Sequence, residues 1–165
     1  MSSDKSKTMK TSYLALVVLA TGLLCVGTAG CKNDNKNKFD ASVLFEETLS
    51  KAKDGDTDAM LLLGTMYATG EGVIQDYKEA FKWFRKAAEL GYVKAMYPLG
   101  SMYANGRGVI EDDKEAVKWY RKAAELGHAK AMWALGGMYA NGRGVTEDDK
   151  EAVKWYRKAA ELGNE

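Results

Sequence analysis

Few residues in this chain carry the chemistry of a reaction. The only thiols are Cys25 and Cys31, and the only imidazole is His128. Both cysteines precede the regular part of the sequence, which therefore has no thiol nucleophile, disulfide or thiolate metal site. His128 stands just before an expected helix, where a lone histidine reads as a cap or surface residue and not as a general base. The acidic clusters Glu111-Asp112-Asp113 and Glu147-Asp148-Asp149 stand where helices begin, so their charge complements the helix dipole, and they lack calcium-loop spacing. Arg107 and Arg143, in glycine-bounded loops, read as solvated charges, with pairing to an acidic partner as the alternative. No nucleophile–base pair, phosphate loop or metal cluster is spelled out. The expectation is a protein that binds and does not react, with no enzyme activity and no cofactor.

The one covalent chemistry the sequence suggests is at Cys31. Lys5, Lys7 and Lys10 precede an apolar run from Tyr13 to Val26, followed by Gly27-Thr28-Ala29-Gly30-Cys31. A basic stretch, an apolar stretch and small residues make a secretory signal, and the run is shorter than the roughly 20 residues a membrane span needs. Ala29-Gly30-Cys31 resembles the lipobox of bacterial lipoproteins, with Thr28 where that family prefers Leu, Val or Ile. The resemblance implies a signal peptide over 1–30 and a mature chain lipidated at Cys31 and so attached to membrane, since each buried methylene contributes about 0.8 kcal/mol. Cleavage after Ala29 by ordinary signal peptidase is the alternative, and Met9-Lys10-Thr11 offers a second start. Residues 31–38 hold the cysteine and a polar run, Lys32 to Lys38, expected to be a disordered tether reaching at most about 25 Å. Lys32 after the cysteine, by the same resemblance, places the protein in the cell envelope and favours an outer membrane.

The rest of the chain is one element written three times. Glycines 55, 91, 127 and 163 recur every 36 residues, and the units 59–94, 95–130 and 131–165 are near copies. Such a unit cannot bury its own apolar face and must stack on its neighbours. In the first unit a helix A over Thr57–Ala68 is capped by Asp56, with Ala59, Leu63 and Tyr67 on one face. Gly64, Gly100 and Gly136 fall inside the A helices, where glycine costs about 1 kcal/mol, so close approach of two backbones is expected there. Gly70, Gly106 and Gly142 end the A helices, and Val73, Val109 and Val145 tuck beneath the loops. Helix B opens with Asp76-x-x-Glu79, Asp112-x-x-Glu115 and Asp148-x-x-Glu151, the pattern of a reciprocal capping box. Ala80, Trp83, Phe84, Ala87 and Ala88 form its apolar stripe, with Lys78, Lys82, Arg85, Lys86 and Glu89 opposite. Pro98 predicts a kink or a late start in the second helix A. Residues 39–55 read as half a unit, an N-terminal capping helix with Val43, Leu44, Leu49 and Ala52 inward. At the other end, Trp155 and Ala159 are expected to expose apolar surface.

The pattern A-x-x-x-L-G-x-x-Y-x-x-G-x-G-V, then D-x-x-x-A-x-x-W-x-x-x-A-A-x-x-G, resembles the Sel-1-like repeat, a relative of the tetratricopeptide repeat. The resemblance implies an all-α fold, a right-handed α-solenoid of antiparallel helix pairs over 56–165, serving as an adaptor surface for other proteins. A cysteine-rich branch of that family is linked to β-lactam binding, and its disulfide in every repeat is missing here.

Units two and three differ most visibly in helix A, at Tyr97 against Trp133, Pro98 against Ala134 and Ser101 against Gly137. By resemblance to tetratricopeptide arrays this helix lines a concave groove. A stripe of Leu61, Tyr97 and Trp133, with Thr65, Ser101 and Gly137 one turn on and Thr69, Asn105 and Asn141 beyond, has the aromatic and polar composition of a binding hot spot. The alternative places the aromatics in the core between units. Whole-chain net charge is +1, and without residues 1–30 it is −1, from 21 basic and 22 acidic side chains. That excludes a strongly basic nucleic-acid binder. The function expected is a non-enzymatic, envelope-anchored scaffold for a protein or peptide, in its sharper form an immunity or inhibitor protein. Envelope enzyme, peptidoglycan binder and self-associating array are the alternatives.

Overall fold

The computed structural model of the chain describes residues 34–163. The expected signal segment, Cys31 and Lys32 lie outside them. Among the described residues there are seven helices and no strand: α1 Asp34–Lys53, α2 Thr57–Thr69, α3 Tyr77–Glu89, α4 Val93–Ala104, α5 Asp113–Glu125, α6 Ala129–Ala140 and α7 Asp149–Gly163. The pairs α2–α3, α4–α5 and α6–α7 are the three units of a right-handed α-solenoid, and each B helix packs on the next A helix. One core of Ala, Met and Leu, with Leu63, Leu99 and Leu135 fully buried, runs through all three.

α1 is the half unit expected, but with a different inward face and an earlier start. Val43 and Leu44 are exposed, and the buried stripe is Phe45, Thr48, Leu49 and Ala52. Those positions follow i, i+3, i+4, i+7, the spacing that keeps one helix face inward. Thr48 enters that face because its hydroxyl donates to the Leu44 carbonyl at 2.7 Å. Phe45 meets the Tyr67 ring edge-on at 5.8 Å, as Phe81 meets Tyr103 at 5.2 Å one unit later. The helix begins at Asp34, inside the run read as an unstructured tether. Once the packed half has nucleated the helix, each further residue is added without a new nucleation cost.

Within each unit a glycine notch sets the fit of A against B. A Cβ at Gly64, Gly100 or Gly136 would stand 2.5–2.8 Å from the ring of Phe84, Tyr120 or Tyr156. The expected close approach is therefore mainly ring to backbone, although the Ala116 and Ala152 carbonyls also lie 3.3 and 3.2 Å from the Cβ positions of Gly100 and Gly136. Asp76, Asp112 and Asp148 cap the B helices by accepting from the backbone N–H groups two and three residues on. The box is not reciprocal. The cap residues' own N–H groups donate to the Tyr67, Tyr103 and Tyr139 carbonyls at 2.9–3.0 Å, and Glu79, Glu115 and Glu151 turn instead to Lys82, Lys118 and Lys154. With the donor already satisfied across the loop, the carboxylate gains more from a lysine one turn on.

Pro98 lies inside α4, which starts at Val93 in the same register as α6 at Ala129, so there is no late start. The first turn of α4 lacks a bond that the other A helices have. The N–H groups of Met60 and Met132 donate to the Asp56 and His128 carbonyls at 3.0 and 3.1 Å, and no matching bond joins Met96 to Tyr92. A proline ring crowds the carbonyl of the preceding turn and loosens it. Trp155 and Ala159 are buried, contrary to expectation; in α7 it is Val153 and Leu162 that are exposed. Trp155 and Ala159 belong to the core-facing stripe, whereas Val153 matches Val117, which lies beside Gly144 and Val145 of the following loop and is buried.

Successive units meet at a second glycine. Gly108 (φ +73°) and Gly144 (φ +67°) lie so close to the first turn of the preceding B helix that a Cβ would overlap the backbone at Tyr77 and Asp113. Gly91 has a similar φ, +86°, with nothing within 4 Å of its missing Cβ. Gly91→Ala should therefore cost only the left-handed conformation, about 1–2 kcal/mol, whereas Gly108→Ala adds overpacking of about 1–3 kcal/mol. Urea unfolding of the two variants checks this; equal midpoints would mean that the loop yields freely.

Candidate binding surface

The A helices present the nine residues of the expected stripe along their exposed sides, with a gradient of exposure. Leu61 and Tyr97 are half-buried and packed against the core, while Trp133 is 65% exposed. Tyr97 lies 5.8 Å from the Tyr120 ring and stacks on His128 at 5.6 Å with 16° between planes. Trp133 sits 6.0 Å from Tyr156, beside an open depression of about 500 Å³ that Ala129, Lys130, Ala159 and Ala160 complete. The core reading thus describes Leu61 and Tyr97 in part and does not describe Trp133.

The polar members are partly spent on their own helices. Thr65 and Thr69 donate to the carbonyls four residues back, of Leu61 and Thr65, at 2.9 and 3.0 Å. Asn105 and Asn141 donate to the Ser101 and Gly137 carbonyls at 2.7 Å, closing the C-terminal turns of α4 and α6. Asn105 also donates to the Ser101 hydroxyl at 3.3 Å, so it keeps its carbonyl oxygen for a ligand, and Asn141 keeps its carbonyl oxygen and one N–H. Gly137 leaves the Tyr156 hydroxyl open, 3.5 Å from where a Cβ would stand. Tyr120 is buried and its phenol is pushed up to about 12, chiefly by desolvation, so it stays neutral beneath the stripe. Lys130, Tyr156 and the stacking partner His128 were not singled out for this surface. The same A-to-B pairing links Tyr97 to Tyr120 and Trp133 to Tyr156, so the repeat register held the signal for Tyr156.

A model of the Sel1 repeat matches residues 57–92, 93–128 and 129–164. The chain belongs to the Sel1 repeat family. The matched units open at Thr57, Val93 and Ala129, where the A helices begin, two residues before the boundaries read from the sequence pattern. A protective antigen of uropathogenic Escherichia coli with an SLR fold is similar at 47% identity and a TM-score of 0.70, over 72% of this chain and 26% of that one. The chain thus spans about a quarter of that protein's length. A Sel1 repeat protein from Oxalobacter formigenes is 42% identical (TM-score 0.64; 73% of this chain, 90% of that one), and Helicobacter pylori cysteine rich protein B is 28% identical (0.59; 76% and 90%). No curated protein matches the chain. Sel1 repeat proteins are generally scaffolds for protein–protein interaction.

The Sel1 loops carry charges that join units to one another. Arg143 donates to both carboxylate oxygens of Asp113, at 3.0 and 2.6 Å, to the Ala104 carbonyl at 2.8 Å and to Glu111 at 3.3 Å. Arg107 meets Tyr77 where Arg143 meets Asp113, and lies 5.6 Å from that ring. Neither is simply solvated, a correction to the sequence reading, and the acidic cluster 111–113 has a partner inside the chain. The contact joins residues 30 positions apart, so local sequence does not announce it. Tyr92 donates its hydroxyl to Asp58 across the first junction, which pushes the phenol up to about 12. Among the described residues no group of three His, Cys, Asp or Glu side chains could hold a metal ion, and no helix is long and apolar enough to cross a membrane.

His128 is a cap, as its position suggested. Its Nδ1 accepts from the Ala131 N–H at 3.3 Å, which requires the neutral ring. Burial lowers its pKa from the ordinary 6.5. A depressed folded-state pKa means the unfolded chain binds the proton more readily, so this stabilisation is complete above about pH 6.5 and is lost as pH falls through the folded value. His128→Asn keeps an acceptor that does not titrate in this range. Between pH 7.5 and 5.5, urea melts should show the wild type losing more stability than His128→Asn. Equal losses would remove the histidine from the pH dependence.

Proposed function

We propose that this Sel1 protein is a non-enzymatic scaffold, anchored to the bacterial envelope through a lipidated Cys31, that takes a protein or peptide along the outward stripe of its A helices. The observation that carries the reading is Trp133: a large aromatic side chain, 65% exposed, beside an apolar depression. An exposed tryptophan beside an apolar depression, with a tyrosine and a lysine on its rim, is the kind of anchor from which interfaces draw most of their binding energy. Family membership supports the scaffold, and the sequence around Cys31 supports the anchor. An immunity or inhibitor role is the sharper form of the same reading, to be decided by whether a secreted toxin is encoded beside this chain.

Two measurements test the two halves separately. Intact-mass spectrometry of the protein from membranes should find acyl chains on Cys31, and Cys31→Ser should release the protein from the membrane fraction; an unmodified thiol ends the anchor reading. Affinity capture with the 34–165 segment should recover partners that a Tyr97→Ala, Trp133→Ala double variant loses, with an expected drop of more than tenfold since hot-spot truncations cost about 2 kcal/mol or more. Unchanged recovery by the double variant moves the binding surface elsewhere.

A further inference from the structure

The side of the array opposite the A-helix stripe has its own chemistry. Helix α3 exposes Lys78, Lys82, Arg85 and Lys86, and each position is basic again 36 and 72 residues on, in α5 and α7. The three B helices therefore carry twelve basic side chains against eight acidic ones, a net of +4, while the rest of residues 34–165 has a net of −6. Four of the cations pair with a glutamate of their own helix: Lys82, Arg85, Lys118 and Lys154. The other eight have no acidic partner among the described residues. Between α5 and the loop of the third unit, Lys114, Lys118, Arg121 and Lys122 surround a shallow depression of about 400 Å³, with Glu125 the one acid on its rim. With the capping Asp76, Asp112 and Asp148 included the net of these helices is +1, so the basic excess lies along the helix bodies, away from their N-terminal caps.

We propose that this B-helix face is an electrostatic contact surface for the anionic headgroups of a phospholipid bilayer. Repeated rows of cations match a surface of many like charges better than they match a single anion, and attraction of this kind acts within a Debye length of about 8 Å at physiological salt. A bilayer is preferred to a nucleic acid because only Lys32 and Asn33 separate Cys31 from the start of α1. This choice rests on the anchor reading. Laid on the headgroups by its B helices, the array would turn the Trp133 stripe away from the membrane.

The test uses the 34–165 segment without lipid, which holds the whole solenoid core, so that its outcome does not depend on Cys31. Co-sedimentation is measured with phosphatidylcholine vesicles and with vesicles in which about a third of the lipid is phosphatidylglycerol, at about 50 and about 300 mM salt. Binding should be at least tenfold stronger to the anionic vesicles at low salt and largely lost at high salt. The triple variant Lys86→Gln, Lys122→Gln, Lys158→Gln should lower it by roughly tenfold to a hundredfold, whereas the corresponding Lys→Arg triple variant should bind as wild type does. Equal binding to both vesicle types, or loss of binding in the Lys→Arg variant, overturns the proposal. So does tight, salt-sensitive binding to duplex DNA with none to vesicles. Absence of an acyl chain on Cys31 in the intact-mass measurement would overturn the anchor and leave the vesicle result standing.

Discussion

A pair of short helices has little interior of its own, and the solenoid rests on how closely the A and B helices of each unit close on one another. The closing contact is made where side chains are missing. At Gly64, Gly100 and Gly136 the A helix gives up a Cβ so that Phe84, Tyr120 or Tyr156 can lie against its backbone. Glycine in a helix costs about 1 kcal/mol, and burying most of an aromatic ring offsets that cost. Because Tyr120 and Tyr156 extend toward the outer side, the same notch places them under Tyr97 and Trp133. The packing that holds a unit together therefore also builds the floor of its candidate binding stripe.

The junctions between units are not copies of one another, although the units nearly are. At the second junction Arg143 makes charged bonds to Asp113 and Glu111 and closes on the Ala104 carbonyl. At the first, position 77 is tyrosine instead of aspartate, so Arg107 rests on a ring and Tyr92 supplies a separate bond to Asp58. The charged pair is part-exposed, and such pairs contribute little individually. Their value is orientation: a planar guanidinium held by two carboxylate oxygens fixes the angle of a loop better than a cation over a ring does. The second junction is thus the more sharply specified, and Tyr97, His128 and Trp133 lie across it.

Much of this was legible in the sequence, and what was not has a common cause. The 36-residue period is a repetition visible in the letters themselves, and the Asp caps of the B helices and the half unit before Asp56 depend on residues within one turn or one loop of each other. Phe45 and Thr48 were missed in α1 because Val43 and Leu44 are the more apolar pair; the geometry of the Tyr67 ring, not hydropathy, decides which face turns in. The Glu79 side of the capping box was misread since its competitor, Lys82, follows the motif, and the donor it would have served is bonded across the loop. Arg143–Asp113 and Tyr97–His128 are 30 or so residues apart and exist only once units stack. For the candidate surface, the choice of helix face was readable. Its gradient, from half-buried Leu61 to exposed Trp133, was not, because it depends on contacts made only in the packed array, such as His128 against Tyr97.

That gradient bears on how the proposed stripe would select a partner. Tyr97 is pinned between Tyr120 and His128, so it offers a ligand a fixed edge with little side-chain entropy left to lose. Trp133 has one ring neighbour and an open depression beside it, so it can reorient to seat a partner at some entropic cost. A rigid aromatic beside an adaptable one, with asparagines whose amides are already half committed, favours an extended segment read by apolar side chains over one held by many polar bonds. The repeated basic rows lie on the B helices, and Lys130 is the one charged side chain lining the Trp133 depression. An acidic partner drawn toward the protein would meet that other face first. On the proposed reading, selectivity in the stripe comes chiefly from shape and apolar burial.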